Sequence, residues 1–204
     1  MGFGTMIVGF FFIFFNFNLG PVNIFPDIIG YILLYVGAGE VSRHVKNSNF
    51  EILKKPSLLL VALSVLGIIV KYSDVLNGAL NQGLTVESKL YSIATIFLTA
   101  FLSIFYFFHL AKGIKEEAGK LEHTELDEKA EKTFKLYLTF QAIGAIVFIG
   151  ATLLAKGSVT YQLGGEGFFL VFGLLAIYIY LFIQVRKMLK LANNTFGSAE
   201  PNQP

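Results

Sequence analysis

Apolar runs and short polar stretches alternate along the chain, and the pattern predicts six helical segments, at about 3–17, 26–40, 57–77, 87–111, 133–155 and 166–185. A helix that crosses a bilayer needs about 20 mostly apolar residues. The first two runs fall short of that, which makes the connector between them a candidate for a polar dip beneath the lipid headgroups. The stretch 16–31 reads N-F-N-L-G-P-V-N-I-F-P-D-I-I-G-Y and gathers Asn16, Asn18, Asn23 and Asp27 with two prolines and two glycines. Backbone that leaves a helix inside hydrocarbon has to be covered by protein or line a wet cavity, because lipid offers its amides no partners. The stretch is therefore either a turn at the membrane surface or a submerged polar loop.

Between the fourth and fifth runs lies the longest polar region, 112–135, a charged helix or loop. In it Glu116/Lys120, Glu125/Lys129, Glu128/Lys132 and Glu131/Lys135 each place the acid four residues before the base, the favourable order on a solvated helix. It is expected to carry the flanking helices into water. Residues 1–191 read as a single transmembrane domain, and 192–204, small and polar, as a disordered tail.

Composition strengthens the membrane reading. Of 204 residues, 54% are hydrophobic and 15% charged, with a mean hydropathy of +0.64, whereas about a quarter of a soluble domain is charged. The expected fold class is all-α, a polytopic transmembrane helical bundle of about six helices. A net charge of +2 without a basic stripe argues against nucleic acid as a partner. The lack of cysteine removes disulfides and thiolate metal sites. The first apolar run is preceded by no Lys or Arg and leads into Asn and Pro instead of a small-residue cleavage site, so it is expected to stay in the mature protein. Of the 16 Lys and Arg, all but Lys71, Lys89 and Lys156 fall in cytoplasmic segments if the N-terminus is inside. The positive-inside rule then places both termini in the cytoplasm and the 16–27 connector toward the outer face.

The run Asn23-Ile24-Phe25-Pro26-Asp27-Ile28-Ile29-Gly30-Tyr31, following a short Phe-rich helix and an N-x-N turn, resembles an uncharacterised group of small polytopic membrane proteins of Gram-positive bacteria that carry an N-I-x-P-D-x-I-G-Y pattern near the N-terminus. The likeness covers about the first forty residues, with Asn23, Pro26, Asp27, Gly30 and Tyr31 as matching positions. It implies a bacterial plasma-membrane location and assigns no activity.

Among the polar residues Asp27 is the most informative. At a helix N-terminus it caps its own helix and complements the dipole, worth about 0.5–2 kcal/mol; below the interface it is a functional candidate, because an ionisable group in hydrocarbon is expensive unless paired or wet. Lys71 either snorkels to the headgroups or reaches Asp27 and Asp74 to close a polar cluster with Asn16, Asn18 and Asn23. Those six residues form the candidate substrate-binding set. His44, His109 and His123 lack metal-site spacing, so no metal or cofactor is expected. Gln141, the one strongly polar residue inside the fifth run, is expected to tie helices together. No nucleophile-and-base set, paired carboxylates or dinucleotide fingerprint is present, which points away from an enzyme. The expected function is a binding or transport module with an outward-facing polar pocket for a small solute or lipid headgroup. The alternatives are a scaffold that docks a protein partner through 112–135 at the cytoplasmic face, and a lipid-modifying enzyme; membrane lipid is the partner common to all three.

Overall fold

The computed structural model describes residues 1–15, 18–19, 22–23, 27–80, 85–154 and 165–198. Among these residues the chain is helical apart from one two-residue antiparallel ladder. The elements in order are α1 (Phe3–Phe14), β1 (Asn18–Leu19), β2 (Val22–Asn23), α2 (Asp27–His44), α3 (Ser48–Ile52), α4 (Lys54–Tyr72), α5 (Asp74–Leu80), α6 (Val86–Lys120), α7 (Thr124–Leu154) and α8 (Gly165–Ser198). Three helices, Ser48–Tyr72, Val86–Lys120 and Thr124–Leu154, are long and apolar enough to cross a membrane, and α1 is a shorter apolar helix. With 35 residues, α6 is about 52 Å long. The hydrocarbon layer is about 30 Å thick, so a spanning α6 must also project from it.

Each long helix packs on its neighbours in sequence, α1 on α2, α2 on α4, α4 on α6, α6 on α7 and α7 on α8, and α8 returns to α1. The helices therefore close a ring. At one end its centre is filled by Phe3, Phe50, Phe107, Ile114 and Met188, all fully buried. The outer surface is apolar as well: Phe97 is 63% exposed and Ile146 71%. So broad an apolar surface suits lipid and not water.

Both described ends of the chain lie at the filled end. The Phe3 ring packs against Phe50 and Phe196, and the Thr5 hydroxyl donates to Glu40 near the end of α2 (3.2 Å). The same end carries the α6–α7 hairpin, in which the expected continuation of both helices through 112–135 is observed. The hairpin turns at Glu122, whose φ of 54° is left-handed. There the Glu122 and His123 amides donate back to Gly119 and Ala118 (3.2 and 2.9 Å), satisfying carbonyls that the helix end would otherwise orphan. Glu128–Lys132 and Glu131–Lys135 pair as anticipated, at 2.8 and 2.6 Å. Lys120 turns instead to Glu117 (2.6 Å), and Lys129 donates to Gln184 on α8.

Three expectations need correction. The helix foreseen at 57–77 breaks at Ser73, which is extended and whose hydroxyl accepts the Leu76 amide (3.4 Å). Lys71 and Asp74 thus belong to different helices and share no continuous face. The tail foreseen as disordered from 192 is helical as far as Ser198, because Ala192 and Phe196, one turn apart, are buried in the ring. The second run extends past 40 to His44, carrying fully buried Val41 into the core.

Candidate functional site

The opposite half of the ring is hollow. One cavity of about 150 Å³ is bounded by Asp27 and Tyr31 of α2, Leu63 and Ser64 of α4, and Thr95 and Thr99 of α6. A second, of about 290 Å³, shares Tyr31, Thr95 and Thr99 with the first and extends to Ser103 of α6, Gln141 of α7 and Tyr178 of α8. A narrow extension below them reaches Phe10, Tyr106 and Tyr137. All six ring helices contribute a wall.

Helical spacing explains why these side chains converge. Asp27 and Tyr31 are one turn apart, as are Thr95, Thr99 and Ser103 in succession, and Tyr137 with Gln141; positions i and i+4 share a face. The half-buried Asp27 carboxylate lies close enough to the Tyr31 and Tyr178 hydroxyls for its charge to act on both. Ser103 lines the narrow extension together with Tyr31 and Tyr137, and the Gln141 amide donates to the Tyr137 hydroxyl (2.9 Å). A polar seam thus runs from Asp27 through the centre of an otherwise apolar ring. It stops at Tyr106, which is 2% exposed and donates to the Leu34 carbonyl (3.4 Å). Beyond it Phe107 stacks on Tyr137, with ring centroids 4.2 Å apart.

Of the six residues expected to bind a ligand, Asp27 lines the first cavity. Lys71 and Asp74 line none of the three cavities. Both are exposed, and the Lys71 ammonium lies 5.9 Å from the Tyr72 ring. Asn18 and Asn23 face each other in the two-residue ladder, but their side chains lie outside the description, as does the whole of Asn16. Gln141, expected to tie helices together, bonds within α7 instead, donating to Tyr137 one turn earlier, and also lines the larger cavity. Sequence reasoning missed Ser64, Thr95, Thr99 and Ser103. The four-residue spacing of the last three was the available signal, obscured by the abundance of Phe, Ile and Leu around them.

A second polar cluster, also missed, closes the filled end. Asn47 caps α3 by accepting the Asn49 amide (2.9 Å), and its own side-chain amide donates to Glu116 (3.0 Å) and Glu117 (2.8 Å). Asn49 donates to Glu116 (2.8 Å) and accepts from the His109 ring (2.9 Å). These bonds fasten α3 across the end of α6.

No protein-family model matches the chain, and no curated protein and no solved structure matches it either.

Proposed function

We propose that this protein is a non-enzymatic binding or transport module of a bacterial plasma membrane, crossing it six times with both termini in the cytoplasm and offering an outward-facing polar vestibule at its first hairpin. One observation carries the proposal: Asp27 borders a cavity at the level of Ser64 and Thr99, near the midpoints of α4 and of the apolar part of α6. With 12 and 18 residues, α1 and α2 measure about 18 and 27 Å, less than the hydrocarbon thickness. An ionisable group at that depth is costly unless paired or wet, and the cavity lined by Ser64, Thr95 and Thr99 beside Asp27 offers room for water or a ligand. The excess of Lys and Arg at the filled end supports the orientation, and the plug of Phe107, Ile114 and Met188 separates the vestibule from that side. Transport would require the plug to open; binding alone would not. The 112–135 hairpin satisfies many of its charges internally, so no specific observation favours a scaffold over a solute site.

The chain has no cysteine, which permits a direct test. In intact cells, a Thr99→Cys variant should react with a membrane-impermeant thiol reagent added outside, and a Phe101→Cys variant, on the apolar outer surface of the same helix, should not. If the Thr99→Cys thiol proved as inert as that at 101, the vestibule would be closed or dry and the proposal would fail.

A further inference from the structure

We infer that an anionic phospholipid of the cytoplasmic leaflet binds on the outside of the ring between α7 and α8, its phosphate held by Lys129 and Lys187 and an acyl chain lying along Ile177 and Tyr180. The site is separate from the vestibule and needs only that both helices lie in a bilayer. Its assignment to the cytoplasmic leaflet rests on the orientation proposed above.

Charge is the first argument. The sequence has no Asp or Glu between Glu166 and Glu200, so the cytoplasmic end of α8 carries Arg186, Lys187 and Lys190 with no acid among them. All three are exposed, and among the described residues none forms an ion pair. On α7, Lys129 departs from the pairing that Lys132 and Lys135 follow. Its ammonium crosses to α8 and donates to the neutral side chain of Gln184, one turn before Lys187. There the Lys187 charge acts on it: partial burial, and then Lys187, make Lys129 release its proton more readily than an ordinary lysine. Glu125 pulls the other way without forming an ion pair, and Glu128 is engaged by Lys132 (2.8 Å). Two cations brought together from neighbouring helices repel, and an anion between them turns that repulsion into attraction.

Apolar surface is the second. Positions 177, 180, 184 and 187 share one face of α8 at spacings of three and four. Ile177 and Tyr180 are exposed on it, so the face is apolar as far as Gln184 and cationic beyond. At 1.5 Å per residue, Tyr180 lies about 10 Å deeper in the bilayer than Lys187. A soluble anion would use the cations and leave the apolar stripe idle. A phospholipid matches both, and basic side chains at the ends of membrane helices on the cytoplasmic side meet a leaflet that holds anionic lipid.

The chain has no tryptophan, so Tyr180→Trp installs a single fluorescent reporter beside the site. The full chain would be placed in phosphatidylcholine nanodiscs doped with phosphatidylglycerol or phosphatidylcholine brominated on its acyl chains. Both leaflets are alike there, so the orientation of the protein does not enter. Brominated phosphatidylglycerol should compete for contact with the reporter about fivefold or more better than brominated phosphatidylcholine, the scale set by one or two basic groups at an anionic surface. A reporter introduced as Phe101→Trp, on the outer surface of α6, should show no such preference. Lys129→Gln and Lys187→Gln should each remove most of it, whereas Lys129→Arg, Lys187→Arg and Lys190→Gln should keep it. Because Lys187 is exposed, Lys187→Gln stands as the decisive arm if Lys129→Gln fails to fold. Equal quenching by the two lipids at position 180, an equal preference at 101, or indifference to Lys187→Gln would overturn the site. So would an equal loss with Lys190→Gln, which would mean diffuse attraction to any cation. Relief by inorganic phosphate at constant ionic strength would assign the cations to a soluble anion and overturn the lipid. Labelling of the Thr99→Cys variant decides the vestibule independently of all these outcomes.

Discussion

The Phe196 ring lies 5.8 Å from that of Phe3, so the last turns of α8 are fastened to the first turn of α1. Phe3 in turn packs edge-on against Phe50 at 5.9 Å, and all three rings are buried. The contact closes the helical ring at the filled end. Truncating a buried Phe to Ala costs about 3–5 kcal/mol, so Phe196→Ala should lower the thermal unfolding midpoint in detergent by many degrees. Asn194→Ala, on the exposed side of the same turn, should change stability by less than about 0.5 kcal/mol. Equal midpoints for both variants would mean that α8 ends energetically before Ala192.

Across the α6–α7 hairpin, Lys115 approaches Glu131 to 2.6 Å and Asp127 to 3.8 Å. Hydrogen bonds from Lys115 and then Lys135, with their charges, pull the Glu131 carboxyl from its usual 4.5 down to about 2. The unfolded chain accordingly takes up this proton first as pH falls. The stabilisation is complete above about pH 5 and disappears as pH drops toward the folded value. The difference in unfolding midpoint between the parent protein and Glu131→Gln should be constant from about pH 8 to 5 and shrink steadily below 4.5. A difference that grew on acidification would reverse the sign and contradict the pairing. Its size will be modest, since both side chains are substantially exposed and exposed pairs are screened.

That hairpin was legible in the sequence because charge at i and i+4 leaves few alternatives to a solvated helix. Asp27 was legible for a different reason, the cost of an acid beside apolar runs. The break at Ser73 was not, since a lone serine between Tyr72 and Asp74, at the end of an apolar run, reads as tolerated helix until its hydroxyl is seen to cap the next one. Assuming a straight helix there placed Lys71 and Asp74 on one face and drew both into the candidate site. The hydroxyls of Thr95, Thr99 and Ser103 went unnoticed because Thr and Ser in a membrane helix are so often satisfied by their own backbone. Only the ring closure between α8 and α1 shows that they face a common space. The end of α8 was misread because the composition of 192–198 is polar overall, while its two buried positions are spaced by a single turn.

Helices α1 and α2 cross at closest approach through glycines. A Cβ added at Gly30 would lie 2.6 Å from the Ile13 side chain and 2.9 Å from the Gly9 carbonyl, and one at Gly9 would lie 2.9 Å from the Gly30 carbonyl. Because the obstructing atoms include backbone, the helices would have to separate to admit it. Gly30→Ala should destabilise by about 1–3 kcal/mol, the usual cost of overpacking, and should move Asp27 and Tyr31 with the helix, so that labelling of the Thr99→Cys variant changes in rate. At Gly4 a Cβ meets nothing within 4 Å. Gly4→Ala should therefore be neutral or stabilising by up to about 1 kcal/mol through helix propensity. Similar destabilisation at both positions would show that the close crossing does not exist.

At the filled end, the Asn49 side chain is buried, with the residue 4% exposed, and satisfies three partners at once, donating to Asn47 and Glu116 and accepting from His109. Asn49→Ala removes all three bonds and leaves buried polar groups short of a partner, a loss of about 1–3 kcal/mol. Asn49→Asp keeps the shape but sets a second carboxylate against Glu116 in place of a 2.8 Å hydrogen bond. Like charges at that separation disfavour ionisation of both, so at pH 8 this variant should unfold at a lower temperature than Asn49→Ala despite its closer shape. Acidification below about pH 5 lets one carboxyl of such a pair take up a proton and donate to the other, so the order of the two variants should invert. An order that stayed fixed from pH 8 to 4 would mean that Glu116 does not face position 49.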